Sequence, residues 1–173
     1  MFRLLTVIVL PTALFIAAIV PGKSANPSPS PIQARTPTPS PTPTQAENEA
    51  DVRHVIGAQQ IAWNHGDFNA FMDGYWRSHD TTFVSGDTVT RGWQTVLNRY
   101  KSKYSDRQKM GQLSFSDLEI HLFGYDGAFV FGKWQLERES DHPHGRFTLI
   151  FRKTSNGWKI VHDHTSEAAA NEE

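Results

Sequence analysis

Near the end of the chain, the stretch Gly157–Ser166 (GWKIVHDHTS) gathers two imidazoles, a carboxylate and two hydroxyls. His162, Asp163 and His164, with His121 upstream, have the types needed for acid and base work, since an imidazole beside a carboxylate takes and gives protons near neutral pH. Spacing limits what they can do together. In a strand, Trp158, Ile160, His162 and His164 share one face, while Lys159, Val161, Asp163 and Thr165 share the other. Asp163 therefore joins both histidines in one pocket only if the strand bulges. Catalysis by Asp163, His162 and His164 is one reading; histidines that hydrogen-bond within the sheet or at a subunit interface are the other. The pairs His162/His164 and His142/His144 each offer two imidazoles to a metal ion. A site needs a third ligand, however, and the chain has no cysteine and no acidic residue at a diagnostic spacing. Neither a metal nor another cofactor is expected.

Aromatic residues supply the other chemistry. Tyr75, Trp76, Phe83, Trp93, Tyr100 and Trp134 come from segments that should face each other. They are either ordinary core or the wall of a pocket for a flat or apolar small molecule, which phenol and indole polar atoms would orient.

The elements that must position these groups are legible from periodicity. Val52, Val55, Ile56, Gln59 and Trp63 follow helical spacing, and Asn64-His65-Gly66 should end that helix. Asp67 is placed to cap a second, shorter helix whose apolar face continues through Phe68, Phe71, Tyr75 and Trp76. Thr81–Val84 and Thr88–Thr90 read as a hairpin about Ser85-Gly86-Asp87, and Trp93, Val96, Leu97 and Tyr100 mark a third helix to about Tyr104. Four alternating segments follow: Leu113–Phe123, Ala128–Glu137, Arg146–Lys153 and Trp158–Thr165. This order predicts an α+β domain in which three N-terminal helices pack on a curled antiparallel sheet. A sheet curled around helices leaves a gap, and a ligand would go there. Phe129-Val130-Phe131 and Phe147–Phe151 are apolar on both strand faces and need two partners.

Outside this unit, Arg3 followed by the uncharged run Leu4–Val20 reads as an export signal. Residues 1–25 are either a cleaved signal peptide or an uncleaved N-terminal anchor. The protein would then be periplasmic or secreted, and tethered to a membrane only if the anchor stays. Residues 26–46, rich in Pro, Ser and Thr, predict an extended, disordered linker; 47–167 form the domain and 168–173 a tail. With 17 basic against 18 acidic residues, the chain has almost no net charge to attract phosphates, so no nucleic-acid partner is expected. The local run Arg99, Lys101, Lys103, Arg107 and Lys109 reads as a solvated surface.

The order helix, helix, hairpin, helix, strands, with WNHGDF (Trp63–Phe68) near the start and GWKIVHDHTS at the end, resembles the nuclear transport factor 2-like superfamily. Within it the chain is similar to the SnoaL-like proteins and to the association domain of calcium/calmodulin-dependent protein kinase II, whose corresponding strands are similar to IHLFGYDGAFVFG and WKIVHDHTS. The resemblance covers Glu47 to Ser166 and implies a cone-shaped fold, with another subunit as the second partner of the strands that are apolar on both faces, hence a homodimer. It implies no single activity, because isomerases, cyclases, dehydratases, transport adaptors and assembly hubs share that scaffold. Arginines projecting into the association domain's cavity can bind an acidic ligand, and the matching positions here, Trp134, Thr148 and Thr165, are not basic. Arg146, on the strand face of Thr148, is either a cation at the pocket rim or an ordinary solvated arginine. The superfamily's steroid isomerases use an aspartate base with a tyrosine and a neutral carboxylic acid as oxyanion donors. No stretch reproduces that set here, and Asp163 is the nearest candidate base. The expected function is small-molecule binding without defined chemistry, through Tyr75, Trp76, Phe83, Trp93, Tyr100, His121, Trp134, Arg146, Thr148 and Thr165. Proton transfer or hydration on a small apolar substrate is one alternative, and a dimerisation or interaction module without a ligand is the other.

Overall fold

The structure, a computed structural model, describes residues 43–169. The expectations for the export segment and for most of the proline-rich stretch lie outside the described residues.

Helix α1 (Gln45–His65) begins on a reciprocal cap: Thr44 Oγ1 accepts from the Glu47 amide at 3.2 Å, and the Glu47 carboxylate accepts from the Thr44 amide at 2.7 Å. Its buried stripe is Val52, Ile56, Gln59 and Trp63, as the spacing requires. Gly66 closes it in the left-handed region at φ 79°, a conformation that costs glycine nothing. Asn64 then clamps the helix to the sheet, donating to the Leu113 carbonyl at 3.0 Å and accepting from the Leu113 amide at 2.7 Å.

Helix α2 is shorter than its apolar face suggested. Asp67 caps it, accepting from the Asn69 and Ala70 amides, but it spans only Phe68–Met72. At Gly74 a Cβ would stand 2.8 Å from the Gln59 side chain, so α1 and the exit of α2 meet over a bare backbone. Beyond it Tyr75 leaves helical geometry and bridges Ile160 in parallel; the Trp76 amide donates to the Ile160 carbonyl, and the Ile160 amide to the Gly74 carbonyl, both at 2.9 Å. Helical propensity at Tyr75 and Trp76 loses to two sheet hydrogen bonds.

Strands β1 (Thr82–Ser85) and β2 (Thr88–Arg91) form the hairpin, followed by α3 (Trp93–Lys103) and a short α4 (Arg107–Met110). The strands β3 (Gln112–Phe123), β4 (Gly127–Glu137), β5 (His144–Thr154) and β6 (Gly157–Thr165) pair antiparallel in sequence order. The hairpin joins them through a parallel pairing of β1 with β6, giving a mixed six-stranded sheet ordered β2-β1-β6-β5-β4-β3. Val130, Leu136, Phe147, Leu149, Phe151, Trp158 and Ile160 point from the inner face toward Val52, Ile56, Trp63, Phe71 and Met72 on the helices. Each buried large apolar side chain contributes about 1.5–3 kcal/mol.

Candidate functional site

Strand β6 bulges. Opposite β5, His162 pairs with Ile150 while Ile160 pairs with Phe151, so Val161 is the extra residue and the strand's phase reverses there. The break falls where β6 changes partners on its other edge, from the Tyr75 bridge at Ile160 to β1 from His162 onward. Trp158, Ile160 and Asp163 are therefore all buried, and Asp163 stands in register between Leu149 and Phe83, both buried on the inner face. His162 and His164 face outward beside Ile150 and Thr148. A regular strand would have put Asp163 on the face away from Trp158 and Ile160.

Asp163 is 6 % exposed, and Tyr75 Oη donates to its Oδ2 at 2.6 Å. Tyr100 Oη lies 3.3 Å from Tyr75 Oη. Since the single Tyr75 proton goes to the carboxylate, Tyr100 donates to Tyr75, forming a chain Tyr100 to Tyr75 to Asp163. The other carboxyl oxygen, Oδ1, is buried and has no hydrogen-bond partner among the described residues. Burial pushes the Asp163 carboxyl up to about 7, against the smaller lowering effect of the Tyr75 hydrogen bond. Burial, reinforced by the nearby aspartate, raises both phenols well above their ordinary value. Near neutral pH the site thus holds a carboxyl that exists in both forms, beside two phenols that stay protonated. Ionised, its free oxygen is a base; protonated, the same group donates a hydrogen bond.

A cavity of about 100 Å³ opens between the sheet and the helices. Tyr75, Phe83, Tyr100, Trp134, Asp163 and Thr165, all named from sequence, line it together. Aromatic rings are the largest group in the wall: the Tyr100 ring stands edge-on to Phe71 at 5.2 Å and to Phe83 at 5.5 Å, and Phe115 meets Phe147 at 5.4 Å. Such pairs hold their rings in fixed orientations and keep the wall apolar.

The remaining sequence candidates lie elsewhere. Trp76 is 40 % exposed and joins the structure through its backbone. Trp93 donates from its indole to the Met72 carbonyl at 2.9 Å and carries the Arg77 guanidinium over its ring, which makes it a helix-packing residue. His121 stacks on Phe129 at 4.7 Å on the outer face. Arg146 is exposed, 3.6 Å from Asp117, and Thr148 faces outward beside His164. His162 Nδ1 shares a 2.6 Å hydrogen bond with Thr82 Oγ1, and burial followed by the His164 charge lowers its pKa. His142 pairs with Glu137 at 2.9 Å on the surface.

Residues 52–171 match the SnoaL-like domain family. The chain belongs to that family. Among solved structures, a nuclear transport factor 2-like protein of unknown function from Shewanella oneidensis is 36 % identical, with a TM-score of 0.65 over 68 % of this chain and 97 % of that one. A nuclear transport factor 2-like protein of unknown function from Pseudomonas putida is 18 % identical, with a TM-score of 0.63 over 75 % of this chain and 93 % of that one. A ketosteroid isomerase-like protein from Erwinia carotovora atroseptica, also 18 % identical, has a TM-score of 0.59 over 72 % of this chain and 98 % of that one. These last two likenesses are of fold alone. No curated protein matches the chain. The α+β, cone-type architecture expected of a SnoaL-like domain is thus the observed one.

Sequence reasoning missed part of this SnoaL-like site. Trp63, Phe71 and Phe147 line the cavity, though their spacing reads only as apolar helix and strand faces; so does Tyr104, which reads only as the end of a helix, and so do Arg99 and Lys103, which read as solvated surface. Helical spacing alone offered a signal: Arg99 and Lys103 stand four apart on α3, flanking the inward Tyr100.

Proposed function

We propose that this SnoaL-like domain binds a small, largely apolar molecule between its sheet and helices, and that Asp163 meets the ligand's polar group. One observation carries the reading. A buried carboxyl has one oxygen held by Tyr75 and the other unpartnered, in a cavity walled mainly by aromatic and leucine side chains. A buried polar atom without a partner costs about 1–3 kcal/mol, and a ligand hydroxyl or carbonyl would recover it. A second reading is favoured by the carboxyl's position near neutrality: Asp163 removes and returns a proton on the bound molecule.

One experiment addresses both. Tetralone, an enolisable ketone with an apolar body, is titrated into the protein in heavy water and followed by NMR. Saturation transfer to the ketone reports binding, and deuterium entering beside its carbonyl reports proton transfer. Binding that weakens in Asp163→Ala supports the site; binding indifferent to that change, or none by any apolar probe, removes it. Exchange lost in Asp163→Asn while binding persists supports the enzyme reading.

The outer face of the sheet supports a homodimer. Phe129 and Ile150, cross-strand neighbours, are 39 % and 37 % exposed, and His121 and Phe131 extend the same apolar surface. A second copy would cover it, and sedimentation at micromolar concentration would report a dimer that Ile150→Asp dissociates.

A further inference from the structure

Five cations crowd the stretch from Arg99 to Lys109, and three have local tasks. Lys101 Nζ donates to Asn69 Oδ1 at 3.4 Å. Arg107 donates to the carbonyls of Trp63 at 3.1 Å and Asn64 at 3.0 Å, satisfying the end of α1. Lys109 lies 3.5 Å from Asp106 and donates to Ser105 Oγ at 2.8 Å. Arg99 and Lys103 are left over. Both line the cavity, and neither forms an ion pair among the described residues.

Their arrangement has no stabilising purpose of its own. Like charges four apart on a helix repel by a few tenths of a kcal/mol. Arg99 has one long hydrogen bond, 3.5 Å to Thr90 Oγ1, and its guanidinium lies 5.3 Å from the centre of the Phe83 ring. The Lys103 ammonium lies 5.3 Å from the Tyr104 ring. Phe83 and Tyr104 are themselves cavity residues, so aromatic faces hold both cations against its wall. Lys103, Ser166 and Glu167 are exposed lining residues and mark the open end; Glu167 is the acid there, and it too is unpaired among the described residues. Burial and Tyr75 set the Asp163 carboxyl without help from either cation. The cavity is therefore graded, with a secluded carboxyl within, aromatic walls, and two uncommitted cations on α3.

We infer that the cavity selects molecules with an apolar body and a carboxylate, the carboxylate held at the open end by Arg99 and Lys103 while the far end of the body carries the polar group that meets Asp163. This rests on the reading that the cavity binds a ligand. The test titrates the full chain calorimetrically with naphthoate and with its neutral counterpart naphthylmethanol, in wild type and in Arg99→Gln/Lys103→Gln, whose exposed and half-buried sites tolerate change. Wild type should prefer naphthoate by about tenfold or more. The double variant should lose that preference while keeping its affinity for naphthylmethanol, and added salt should weaken only the naphthoate arm. Equal affinity for the two probes in wild type, or a preference that survives in the double variant, overturns the anion inference and leaves the cavity reading standing. If neither probe binds, both fall.

Discussion

The two faces of the sheet are built from alternate residues of the same strands yet obey different rules. Along β5, Phe147, Leu149 and Phe151 turn inward and are buried, while Thr148, Ile150 and Arg152 turn outward. Among the described residues of the strands, the inner face buries one charged side chain, Asp163, and surrounds it with aromatic rings. The outer face mixes histidines, threonines and charges with scattered apolar groups. Where the pleat is regular, residue type and face agree. At Val161 the pleat is broken, and there a carboxylate takes an inner position that alternation would have denied it.

The largest expected difference between the faces concerns adjacent residues. Leu149→Ala should cost about 2–5 kcal/mol in urea unfolding, because it removes buried methyl groups from a packed wall. Ile150→Ala, measured where the protein is monomeric, should cost within about 0.5 kcal/mol of nothing. An Ile150→Ala cost that grows with protein concentration would show the outer face covered by a second copy, and a cost as large as that of Leu149→Ala in the monomer would abolish the contrast.

Next in size is the effect of the buried carboxyl. The Asp163 carboxyl titrates near 7 when folded and near 3.8 as an ordinary side chain, so the unfolded chain loses its proton first. Its stabilising contribution is complete below about pH 4, declines as pH rises toward 7, and is gone above that; the span is on the order of 4 kcal/mol. Asp163→Asn cannot ionise, so its stability relative to wild type should rise over the same window and then level off. Parallel melting temperatures for the two proteins between pH 4 and pH 8 would show that Asp163 is not desolvated. A gain in stability bought at the cost of activity is common where a site holds an unfavourable group.

How much was legible follows the same division. The helix α1, the hairpin, α3 and the four long strands follow from periods that burial imposes on apolar residues, and Val52, Ile56 and Trp63 or Phe147 and Leu149 fall where their spacing puts them. Tyr75, Phe83, Tyr100 and Trp134 are legible for the cavity because they come from segments that should face each other, and Thr165 because it matches a cavity position of the association domain that the chain resembles. The bulge was only a condition on the histidine argument, since nothing in IVHDH alone says which residue is extra. It depends on Tyr75, far away in sequence, competing with β1 for the edge of β6. The same bridge ended α2 early, against the local apolar pattern. Arg99 and Lys103 were read as solvated because composition shows a charge run without showing which members already have partners.

The smallest effect sets two neighbours of Asp163 against each other. Tyr75 touches the carboxyl through space at 2.6 Å, whereas His162 is its neighbour through the backbone but turns to the opposite face and to Thr82. The Tyr75 hydrogen bond favours the carboxylate, so Tyr75→Phe should move the Asp163 titration upward from about 7 and cost about 1 kcal/mol in stability. His162→Gln should leave that titration where it is, because burial and the Tyr75 hydrogen bond set it and His162 bonds to Thr82 on the other face. Carbon NMR of the Asp163 carboxyl against pH distinguishes them. A midpoint that shifts in His162→Gln as far as in Tyr75→Phe would mean that the histidine turns inward in solution, and the bulge would then no longer separate a cavity face from an outer one.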